Sequence, residues 1–108
     1  MADLQWNRDF ALEQTSDDEE VLAELLEIFR ESAVADLQKI KNASETGDAK
    51  SVGEAAHSMK GASASLGIEG IRAVAYEIEK AGKNGSLAVA RAQLPLLEAL
   101  VSQLDTMK

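Results

Sequence analysis

Apolar residues along the chain recur at intervals of three and four, the period of a helix with one buried face. The longest such stripe is Leu22, Leu25, Leu26, Phe29, Ala33, Leu37 and Ile40, and it predicts a helix over about 17–46. Asp17 with Glu20 three residues on is a capping-box-like start. The acidic residues Asp18, Glu19 and Glu20 suit the positive helix end, and Gly47 supplies a C-terminal glycine. A second stripe, Val52, Ala56, Met59, Ser63 and Leu66, predicts a helix over 48–66, closed by Gly67. A third, Ile71, Val74, Ala75 and Ile78, predicts one over 69–81, and Gly82-Lys83-Asn84-Gly85 reads as a turn. The last runs over 86–107 on Leu87, Val89, Ala90, Leu94, Leu97, Leu100, Val101 and Leu104. Pro95 lies inside it and is expected to kink or split it, because its nitrogen cannot bond the Arg91 carbonyl. A short helix over about 9–14 precedes the four.

No segment alternates with period two over a useful length, so strands are not expected. Four amphipathic helices with short connections imply an all-α fold, an antiparallel up-down-up-down four-helix bundle with a short extra N-terminal helix. At 108 residues the chain is expected to be a single domain over 1–108.

Composition narrows the function. Lysine and arginine number 11 against 19 aspartates and glutamates, a net charge of −8, so neither a nucleic acid nor an anionic membrane is an expected partner. There is no cysteine, which removes disulfides, thiolate metal sites and a cysteine nucleophile. The opening Met-Ala-Asp-Leu-Gln-Trp lacks an apolar signal core, and a cytoplasmic protein is expected. A monomer is expected, since the four stripes satisfy one another.

The chain has one histidine. On a helical wheel that starts at Val52, the core residues cluster near zero and His57 falls at about 140°. It is therefore expected on the outside of the bundle. Gly53 lies one turn before it, Gly61 one turn after, Ala64 a further turn on, and Lys60 flanks it at i+3. A glycine inside a helix costs about 1 kcal/mol relative to alanine. Small residues there suggest a surface cleared for the close approach of a partner. An exposed neutral imidazole is a nucleophile near neutral pH, and an adjacent ammonium can neutralise an anionic group bound to it. That combination suits a phosphoryl group better than an acyl group. An ordinary surface histidine and a solvated lysine stay open as readings of the same two residues.

The segment Ala55-Ala56-His57-Ser58-Met59-Lys60-Gly61-Ala62-Ser63-Ala64-Ser65-Leu66-Gly67 resembles the signature of histidine-containing phosphotransfer (HPt) domains. The resemblance extends from about Asp17 to the end, with Phe29 in the preceding helix and Tyr76-Glu77-Ile78-Glu79-Lys80 in the following one. Pro95 is the main departure from the family's pattern. The resemblance implies that His57 is phosphorylated on Nε2, that Lys60 stabilises the phosphoryl oxygens and that Gly61 leaves room for a receiver domain. It also implies that Glu79 can orient the imidazole through Nδ1. The implied function is a phosphorelay carrier between receiver aspartates, with no kinase activity of its own. The implied partners are response-regulator receiver domains or a hybrid sensor kinase. No cofactor of its own and no metal are expected, and Mg²⁺ belongs to the receiver.

Two rivals remain from the residues themselves. Glu54-x-x-His57 matches half of a di-iron bundle motif, but such a site needs two histidines projecting inward. A helical-bundle adaptor that only docks signalling partners needs no chemistry at His57.

Overall fold

The computed structural model describes residues 4–107. Residues 1–3, where the opening segment begins, and residue 108 lie outside them. Five helices follow in order: α1 Arg8–Gln14, α2 Glu19–Thr46, α3 Ala49–Ser65, α4 Glu69–Lys83 and α5 Ala88–Gln103, with a closing 3-10 turn at Leu104–Thr106. Among the described residues there is no strand, only an isolated antiparallel bridge between Trp6 and Ile68.

Helices α2 to α5 pack in a closed ring, each against the next and α5 back on α2. Cross-helix contacts set the directions. Arg91 near the start of α5 donates to the Ser44 carbonyl near the end of α2 (2.9 Å). Arg30, in the first half of α2, meets Asp105, just beyond α5 (3.3 Å). The start of α3 lies against the end of α4 at Gly53 and Gly82. Gly47 and Asp48 alone join α2 to α3, with Gly47 left-handed at φ 80° as the helix terminator. The core runs the length of this bundle through Ile40, Val52, Ala56, Met59, Ile71, Ala75, Ile78 and Leu97, all fully covered.

Five local expectations are corrected. Asp17 does not cap α2. Ser16 and Asp17 both adopt positive φ in the turn after α1, and the cap falls to Asp18, whose Oδ1 accepts the N–H groups of Glu20 and Val21. Leu25 is not core but 37% exposed. It sits about 60° around the helix from the direction shared by Leu22, Phe29 and Ile40. Gly82 and Lys83 belong to α4 rather than to a turn, because Gly82 packs against the α3 backbone. Gly53 is buried in that same contact and is not part of an outer landing surface. Pro95 does not split α5, which continues from Ala88 to Gln103. The proline is on the exposed side, where water can satisfy the Arg91 carbonyl.

The N-terminal segment crosses the α3–α4 connection. Trp6 Nε1 donates to the Leu66 carbonyl (3.0 Å), the Asn7 amide to the Gly67 carbonyl (2.8 Å), and the Gly70 amide to the Leu4 carbonyl (2.7 Å). Gly67 has φ 69°, and a Cβ there would lie 2.8 Å from the Asn7 carbonyl oxygen. Its conformation and this close approach both require glycine.

Truncating Ile78 or Leu97, both fully buried, to alanine is expected to cost about 2–5 kcal/mol, whereas Leu25→Ala costs about 1 kcal/mol or less. Urea unfolding followed by helix signal checks both, and equal losses at Leu25 and Leu97 would contradict the placement of the stripe.

Candidate functional site

His57 stands in the middle of α3 with 62% of its side chain exposed. The outward direction follows from helical phase, since Ala56 and Met59 on either side of that phase are fully buried. The imidazole does not stand free. Its Nδ1 lies 2.6 Å from Glu79 Oε2, a residue of α4 that is almost wholly buried.

Glu79 is the hub of the cluster. Lys60 Nζ lies 2.6 Å from its Oε1, and Lys83 Nζ lies 2.7 Å from its Oε2. The Lys60 ammonium, and after it that of Lys83, pull the Glu79 carboxyl down to about 2. Burial opposes them, and the His57 N–H adds a smaller downward pull. The carboxyl is therefore ionised at neutral pH and can only accept hydrogen bonds. It follows that Nδ1 of the neutral ring carries the hydrogen, and Nε2, on the edge away from Glu79, holds the lone pair.

Tyr76 borders the cluster one turn before Glu79 on α4. The Lys60 ammonium is 5.5 Å from its ring centre and the Lys80 ammonium 4.8 Å, which places both over the aromatic face. On the other flank, Gly61 is exposed, and a Cβ added to it would meet nothing within 4 Å. Among the described residues, no packing calls for glycine at that position. Ala64, a turn further on, is half-buried.

The structure thus brings His57, Lys60 and Glu79 together, with Gly61 and Ala64 further along the same helix. Gly53 is separate: a Cβ there would lie 3.3 Å from the Lys83 amide nitrogen, and one on Gly82 would lie 2.8 Å from the Gly53 amide nitrogen. Glu54 is exposed and His57 points outward, so the Glu-x-x-His pair does not project into the bundle as a di-iron site requires. Lys83 escaped the sequence reading. Its signal was the i,i+4 spacing from Glu79, hidden once Gly82-Lys83 was read as a turn.

A family model described as the Hpt domain matches residues 24–107. The chain belongs to the Hpt domain family. It is thus a member of the phosphotransfer carriers of two-component signalling. The HPt domain of an Hpt sensor hybrid histidine kinase from Shewanella is a solved structure to which this Hpt domain is similar, with a TM-score of 0.77 at 24% identity. The match covers 96% of this chain and 94% of that one. At that identity the likeness is one of fold. No curated protein matches the chain. Among the described residues no helix is long and apolar enough to cross a membrane.

The state of Glu79 has a consequence for stability. Its folded value near 2 lies below the ordinary 4.5, so the ionised carboxyl contributes in full above about 4.5 and loses that contribution as pH falls through 2. Glu79→Gln is expected to cost roughly 1–3 kcal/mol at pH 7. The gap to wild type should narrow as pH is lowered from 4.5 towards 2. Urea unfolding at a series of pH values reads it, and a gap that widens on acidification would refute the assignment.

Proposed function

We propose that this Hpt domain carries a phosphoryl group on His57 Nε2, taking it from the aspartyl phosphate of one receiver domain and passing it to the aspartate of another. The observation that carries the reading is the 2.6 Å contact between Nδ1 and Glu79, which leaves the lone pair on the outward nitrogen. In the forward step the Nε2 lone pair attacks phosphorus. The P–O bond to the receiver aspartate breaks, and its electron pair returns to the carboxylate. Nδ1 keeps its proton, so the ring becomes a phosphorylated imidazolium. The Glu79 carboxylate balances that new charge from 2.6 Å away. Transfer onward is the same step reversed.

Phosphoryl transfer needs in-line placement and charge neutralisation more than proton transfer. Lys60 fits the second need. Its ammonium has three donors, and Glu79 Oε1 engages one side of it, so others are available to phosphoryl oxygens. Gly61 fits the first, since it leaves an open approach beside the ring at a cost the fold itself does not require. The domain brings no cofactor in this scheme. The receiver supplies Mg²⁺ and the aspartate, and a receiver of a response regulator or of a hybrid sensor kinase is the partner class. The domain acts as a cytoplasmic monomer without kinase activity.

Incubation with a phosphorylated receiver domain or a small phosphoramidate, followed by intact mass measurement, tests this. An adduct of about 80 Da, one phosphoryl group, that is labile in acid and stable in base is expected on wild type and absent from His57→Gln. No adduct from either donor, or the same adduct on His57→Gln, would overturn the carrier reading in favour of a docking adaptor.

A further inference from the structure

Lys60 carries its charge at the end of a flexible four-carbon stem. The contact with Glu79 Oε1 (2.6 Å) tethers the ammonium but leaves its direction about that oxygen open. A second restraint comes from α4. Lys60 lies seven residues past Gly53, and Tyr76 lies six before Gly82. These glycines meet where the start of α3 lies against the end of α4, so both residues fall about 9–10 Å along, at one level. The Tyr76 ring centre is 5.5 Å from Lys60 Nζ, which gives the ammonium an aromatic face as well as a carboxylate. Lys60 is covered accordingly: 28% of its side chain is exposed, against 62% for Lys83 and 52% for Lys80.

The place of the ring on α4 adds to this. At about 100° per residue, Tyr76 stands between two carboxylates, Glu79 about 60° away on the core side and Glu77 about 100° away on the solvent side. Glu77 is paired with Lys80 (3.3 Å), whose ammonium lies 4.8 Å from the same ring centre. The ring therefore separates the Lys60–Glu79 pair from the Lys80–Glu77 pair. Tyr76 is 42% exposed, so burial in the core does not account for a large aromatic side chain there. We propose that Tyr76 is a positioning residue that acts through Lys60: its aromatic face and Glu79 Oε1 together hold the ammonium beside His57, where phosphoryl oxygens arrive. A cation already in place spares the transition state the cost of gathering it. That benefit rests on the phosphoryl-carrier reading, but the restraint on Lys60 can be measured without it.

The test pairs two readouts on wild type, Tyr76→Leu and Tyr76→Phe. The first is ¹³C relaxation of the Lys60 ε-methylene by NMR. Tyr76→Leu is expected to leave this group more mobile on the fast timescale, and Tyr76→Phe, which keeps the aromatic face, should follow wild type. The second is the rate of phosphorylation by a small phosphoramidate and by a phosphorylated receiver domain. Tyr76→Leu should lower both rates about 2- to 5-fold, and Tyr76→Phe should restore them. In a Lys60→Met background the same Tyr76→Leu change should cost nothing further, because its effect passes through Lys60. An unchanged Lys60 mobility or an unchanged rate in Tyr76→Leu overturns the inference. So does a Tyr76→Phe variant that behaves like Tyr76→Leu, or a loss that persists without Lys60. A loss seen only with the receiver as donor makes Tyr76 a docking contact and overturns it too. A wild type that takes no phosphoryl group from either donor overturns the carrier function instead, and the relaxation data still decide whether Tyr76 holds Lys60.

Discussion

The separation between α3 and α4 is the constraint on which the site depends. It is set by two backbones in contact, Gly53 on one helix and Gly82 on the other, with no side chain between them. A Cβ on Gly82 would overlap the α3 backbone, so any larger residue there must push the helices apart. Glu79 and Lys83 flank Gly82 on α4, while His57 and Lys60 follow Gly53 on α3. Contacts of 2.6 and 2.7 Å among these four side chains tolerate little change in helix spacing. The glycine contact lies outside the cluster, yet it holds the two rows of side chains in register.

The cluster divides its work between a buried part and an exposed part. Glu79 is enclosed and charged, a state that is costly unless cations accompany it. Lys60 and Lys83 provide them and remain partly in water, which limits the desolvation that each incurs. The imidazole is mostly exposed and is held on one edge only. A rigid support beneath an open ring suits a group that must be reached by more than one large partner. Chemistry of this type asks the bundle for placement rather than motion.

Much of this was legible in the sequence, and the limits have physical causes. Helical phase alone puts His57 outside and Met59 inside, so that placement follows from spacing. Phase also separates Ala56 from Gly61. It cannot tell whether a residue at the edge of a stripe turns in or out, and Leu25 and Glu79 sit at such edges. Leu25 turned out to be exposed and Glu79 buried, each the reverse of its hydrophobicity. Gly53 and Gly61 look alike as small residues one turn from the histidine. Only the neighbouring helix distinguishes them, since one meets a backbone and the other meets nothing. The Lys83 contact was lost for a related reason: a Gly-Lys-Asn-Gly run carries turn chemistry, and tertiary packing prolonged the helix through half of it.

Trp6 is the only tryptophan in the chain, and its indole nitrogen donates to the carbonyl of Leu66, which caps the C-terminal end of α3. The intrinsic fluorescence of this protein therefore watches the N-terminal strap and not the histidine. An emission change on heating or in denaturant records the moment the strap leaves the α3–α4 connection. Circular dichroism, by contrast, averages over the helices. If the two signals part company, the strap and the bundle are separate cooperative units joined by a few backbone hydrogen bonds.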